Sequence, residues 1–79
     1  MADSQIRDRY LQALMNHVRE DTYPSIAQMD LVESLLPPEE MDTYLDILME
    51  KIESVKFPSI SMLNRVQRLV AQLPRAQPS

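Results

Sequence analysis

Seventy-nine residues, a net charge of −4, 44% apolar side chains and no cysteine describe one small folded domain without disulfides or thiolate metal sites. No apolar run approaches the ~20 residues that span a membrane, and the start Met1-Ala2-Asp3-Ser4-Gln5 has neither a basic segment nor an apolar signal core; a soluble, cytoplasmic setting is expected. The chain contains no glycine, which argues against phosphate-cradling loops, dinucleotide turns and tight β-hairpins, all of which use glycine's backbone freedom.

Helices joined by proline-marked corners remain. Ile6, Tyr10, Leu14 and Val18 recur at helical spacing, with Leu11 widening the stripe. They predict a long helix near residues 4–21, capped by Asp3 or Ser4. Pro24 disfavours helix in the residue before it and sets a corner over residues 21–25. Ser25 then stands at an N-cap, with Gln28 three residues on to complete a capping box. A short helix carrying Ile26, Met29, Val32 and Leu36 is stopped by Pro37.

Pro37-Pro38-Glu39-Glu40 opens a second long helix near residues 39–55, since proline is tolerated in a first turn and acids complement the helix dipole. Its stripe is Met41, Tyr44, Leu45, Leu48, Ile52 and Val55. A second corner follows at Pro58, with Ser59 as N-cap but Met62 where a box partner would stand. Tyr23 and Phe57 are expected to fold over their corners as apolar staples. The last helix carries Ile60, Leu63, Val66, Leu69 and Val70 and is stopped by Pro74, and residues 74–79 read as a flexible tail.

These elements repeat. Shifted by 34 residues, 9–37 lies over 43–71 without a gap and with nine identities, among them Tyr10/Tyr44, Leu11/Leu45, Pro24/Pro58, Ser25/Ser59 and Val32/Val66. The period invites comparison with tetratricopeptide-type solenoids, but their Trp, Gly and Ala pattern is missing and about three units are needed for a continuous core. The expected fold is therefore an all-α four-helix bundle spanning 1–79, made of two tandem helical hairpins, 5–37 and 39–73, closed on a pseudo-twofold. Leu14, Val32, Leu48, Ile60 and Val66 are the expected shared core.

Catalytic chemistry finds little footing. His17 is the only histidine, matched by Lys51 in the repeat, and reads as a residue at the stripe's edge rather than a base or ligand. Asp42, Asp46, Glu50 and Glu53 form a solvated helix face, and without glycine no calcium loop is expected. The six methionines read chiefly as core filler and secondarily as adaptable contact surface. No enzyme activity, cofactor or metal is expected.

Charge is segregated: residues 1–55 carry a net −8, whereas residues 56–79 hold Lys56, Arg65, Arg68 and Arg75 and no acid. The arginine stripe suits either an acidic partner or the acidic helices of its own domain. Arg65 also matches Leu31 in the repeat, so Leu31 is expected on a surface that repeat two treats as polar. Leu31 and Leu35, with Arg65 and Arg68, are the candidate contact residues of a small protein-interaction module that binds a protein partner or itself. A nucleic-acid regulator using Arg65 and Arg68, or an acidic decoy, are the alternatives; a pI near 4.7 disfavours the first.

Overall fold

Periodic apolar stripes interrupted by two prolines give four helices in the computed structural model, which describes residues 2–73, with side chains from Gln5 onward. Helix α1 runs Ala2–Glu20, α2 Ile26–Leu35, α3 Met41–Ser54 and α4 Ile60–Gln72. The corners fall at Pro24 and Pro58, as the sequence requires. Ser25 closes a full capping box, its Oγ accepting from the Gln28 N–H at 3.0 Å while Gln28 Oε1 accepts from the Ser25 N–H at 3.1 Å. Ser59 accepts from the Met62 N–H at 3.0 Å without a reciprocal bond.

Each long helix packs on the short helix after it, and α1 also packs on α3. The backbones of α2 and α4 do not approach each other, and the molecule is flat, 41 × 39 × 16 Å. One core runs through it: Leu11, Met15 and Val18 of α1, Met29 and Val32 of α2, Tyr44, Leu45, Ile47 and Leu48 of α3, and Val66 and Leu69 of α4. Leu48, Val32 and Val66 are buried as expected, and Leu14 is partly buried against them.

Several expectations are corrected. Helix α1 begins at Ala2, so Asp3 and Ser4 stand inside it rather than at its cap. The third helix is preceded by a separate 3-10 turn, Pro38–Glu40, and begins at Met41. Ile60 does not join the core; it occupies the first turn of α4 beside a solvent-facing corner and is largely exposed, as is its counterpart Ile26. Tyr23 and Phe57 do not staple their corners. Both rings lie in solvent, and Phe57 instead meets its neighbour Lys56, whose Nζ lies 5.9 Å from the ring centroid. Pro74, Arg75 and the expected tail over 74–79 lie outside the described residues.

A twofold relation would bury the same positions in both hairpins, and these hairpins bury different ones. Tyr44 is 0% exposed while Tyr10 is 47%; Met29 is 3% exposed while its counterpart Leu63 is 38%. Likewise Met15 is buried and Met49 exposed, whereas Ile47 is buried and its counterpart Ala13 exposed. The first hairpin is covered on its methionine side and the second on its tyrosine side.

Leu48→Ala should cost about 2–5 kcal/mol of unfolding free energy, because a fully enclosed side chain leaves a cavity. Ile60→Ala should cost about 0.5 kcal/mol or less, as for an exposed position. Urea denaturation of the two variants checks both values.

Candidate functional site

Covering the tyrosine side of the second hairpin brings four polar side chains together, from α2, α3 and α4. The Tyr44 hydroxyl donates to Glu33 Oε2 at 2.7 Å, and lies 3.5 Å from the Met29 carbonyl oxygen. Arg65 Nη1 donates to the same Glu33 oxygen at 2.8 Å and to Asp30 Oδ1 at 2.9 Å. Arg65 Nε is buried without a partner. Burial works against the guanidinium's charge, but its hydrogen bonds to Glu33 and Asp30 outweigh it and hold the Arg65 pKa above its ordinary value. Burial, reinforced by the bond to anionic Glu33, pushes the Tyr44 phenol far up from 10.0.

This network overturns one expectation. Arg65 was placed on a polar surface; it is 5% exposed, while Leu31 at the matching position is 46% exposed. A long side chain on the face that meets the first hairpin can reach across a gap that the backbones leave open, and acids at Asp30 and Glu33 compensate its charge. Asp30, Glu33 and the Tyr44 hydroxyl were not singled out from the sequence. A signal was present: where repeat one carries Asp30 and Glu33, repeat two carries Asn64 and Gln67, and where repeat two carries Arg65, repeat one carries Leu31.

The other side of the first hairpin is open. A surface groove between the start of α1 and the end of α2 is lined by Ile6, Arg7, Tyr10 and Leu35. Leu31 stands one helical turn before Leu35 and is also exposed. Leu31 and Leu35 thus fall on one apolar face, Arg65 lies inside the molecule, and Arg68 is exposed on α4. Ile6 and Tyr10 complete the face from α1, and they were assigned to the core stripe by periodicity alone.

Elsewhere, His17 is exposed on α1, and Lys51, its counterpart, donates from Nζ to the Arg19 carbonyl at 2.7 Å, satisfying the C-terminal end of α1. A cleft between the two corners, touching Tyr23, Ile52, Val55, Pro58 and Met62, has a volume of about 30 Å³, room for little more than one water. Among the described residues no group of three acids or histidines could hold a metal ion. Among the described residues no helix is long and apolar enough to cross a membrane.

Two outcomes test the network. Arg65→Ala should cost about 3 kcal/mol, the low end for a broken buried pair because Asp30 remains solvated. The raised Tyr44 pKa stabilises the fold fully below 10.0, and that stability is lost as pH rises above it. Absorbance at 295 nm should therefore show one phenol that ionises only as helicity collapses, a coupled step that Tyr44→Phe removes.

No protein-family model matches the sequence, and no curated protein or solved structure shows significant similarity to it.

Proposed function

We propose that this chain is a non-catalytic protein-interaction module that engages a helical protein surface through the open face of its first hairpin, Ile6, Tyr10, Leu31 and Leu35. The contrast in burial carries this reading. Tyr44 and Leu69, the counterparts of Tyr10 and Leu35, are buried once another hairpin lies against them. On the first hairpin, Ile6, Tyr10 and Leu35 line a groove with Leu31 exposed beside it, and no described residue covers them. Apolar clusters of this kind, rimmed by polar groups such as Arg7, mark contact sites.

The nucleic-acid alternative draws less support. Arg65, one of its two expected contacts, is already neutralised by Asp30 and Glu33. What remains on the surface of α4 is Arg68, in a chain of net charge −4. Phosphate binding draws on several cations acting together.

A photo-crosslinking side chain placed at Leu31 should capture a protein, and Tyr10→Glu should suppress the adduct by about tenfold, the size of a lost apolar anchor. The same probe at Glu53, on the acidic face of α3, should capture none. Equal labelling at both positions, or labelling at Leu31 that ignores Tyr10→Glu, would exclude this face.

A further inference from the structure

We infer that copies of this chain stack head to tail: the open tyrosine side of one molecule's first hairpin seats on the uncovered methionine side of another's second hairpin. This rests on the interaction-module reading and names its partner as a second copy. The template for the contact lies within the molecule. There, Tyr44 and Arg65 of the second hairpin meet the Met29 carbonyl, Asp30 and Glu33 of the first, and Leu48 and Leu69 share one core with Met15 and Met29.

Both halves of that contact recur at the two ends. Tyr10 and Leu31, with the partly buried Leu14 and Leu35, reproduce the presenting side at one end, and Met49, Leu63, Asn64 and Gln67 reproduce the receiving side at the other. Tyr10, Leu31, Met49, Leu63, Asn64 and Gln67 are all exposed. In the same register, the Tyr10 hydroxyl of one copy meets the Gln67 side chain of the next as Tyr44 meets Glu33.

The chemistry of the two sides is matched pair by pair. Arg65 faces Asp30 and Glu33; its counterpart Leu31 would face Asn64 and Gln67, the uncharged amides of the same shapes. A cation is absent from the open presenting side at the very position where the open receiving side lacks its anions. Stacking also extends the core of a two-hairpin unit, which is short for a helical repeat. The two surfaces differ, so the contact is heterologous and yields rings or open filaments rather than a closed twofold dimer.

Sedimentation equilibrium on the full chain provides the test, with circular dichroism of each variant verifying the helices. The wild type should exceed the 9.2 kDa monomer mass as concentration rises toward about 1 mM, the weak end of specific affinity. A protein blocked at the presenting side, Tyr10→Glu with Leu31→Glu, and one blocked at the receiving side, Leu63→Glu, should each stay monomeric. Mixed, they should form a one-to-one dimer through the two intact faces. Leu31→Arg mixed with Asn64→Asp/Gln67→Glu should associate about tenfold more tightly than Leu31→Arg mixed with wild type, the grafted charges restoring the internal network. A monomeric wild type, or blocked variants that fail to complement, overturns head-to-tail stacking. If the Leu31 probe then still captures a foreign protein in a Tyr10-dependent manner, the interaction-module reading stands alone; if it captures none, both fall.

Discussion

One guanidinium links the two short helices of a core whose long helices pack directly on each other. Helices α2 and α4 have no backbone approach, and Arg65 spans them by reaching Asp30 and Glu33 while Tyr44 secures the same Glu33 oxygen from α3. Such a contact is not a cheap source of stability, since a buried ion pair loses on desolvation much of what it gains in attraction. Its value is geometric. One nitrogen, Nη1, held between two carboxylates, and an acceptor shared with Tyr44 fix the register of two hairpins whose apolar faces alone would tolerate sliding, because leucines and methionines pack in many registers and charge-assisted hydrogen bonds in few.

The fixed register explains how burial is distributed. Helix α3 lies inside the assembly and buries Tyr44, Leu45, Ile47 and Leu48, whereas α1 buries only Leu11, Met15 and Val18 and leaves Ile6 and Tyr10 in solvent. Nearly the same sequence is thus core in one copy and surface in the other. Helix propensity and capping act locally and are satisfied equally in both. Coverage depends on which neighbour is present, and only one side of each hairpin has a neighbour.

That distinction sets what could be read from residues alone. The four helices, the corners at Pro24 and Pro58, the capping box of Ser25 with Gln28 and the single cap at Ser59 all follow from spacing and backbone chemistry within a few residues, and the structure reproduces them. Which of two equal apolar sides would be covered does not follow from periodicity, so Ile60 was expected inside and is outside, and Tyr10 was grouped with core residues. The site was half legible: Leu31 was placed on the surface by comparison with Arg65, and it is exposed, but the premise was inverted because Arg65 is the buried member. A lone arginine in an apolar helix reads as surface by default. Only its joint variation with Asp30 and Glu33 against Leu31, Asn64 and Gln67 points the other way, and that comparison needs the register between hairpins that the structure supplies.

A chain with two similar presenting sides and two similar receiving sides faces a pairing problem that its charges resolve. Were the first hairpin's side, with Leu31, to seat on a receiving side bearing Asp30 and Glu33, it would enclose Glu33 opposite a leucine, an anion with a tyrosine hydroxyl but no cation to meet it. Were the second hairpin's side to seat on Asn64 and Gln67, it would enclose Arg65 with only amide oxygens to meet its charge. Each mismatch leaves a desolvated ion, and such ions are strongly penalised. The two matched combinations avoid this: charged with charged inside the molecule, and neutral with neutral at its ends. Exchange of hairpins between molecules would need no mismatch, but each exchange only re-forms the internal contact and adds no new surface, while the short corners at Pro24 and Pro58 hold the helices of each hairpin together. In the proposed stacking, therefore, the charged contact holds the two hairpins of one chain together and the uncharged ends are left for each other.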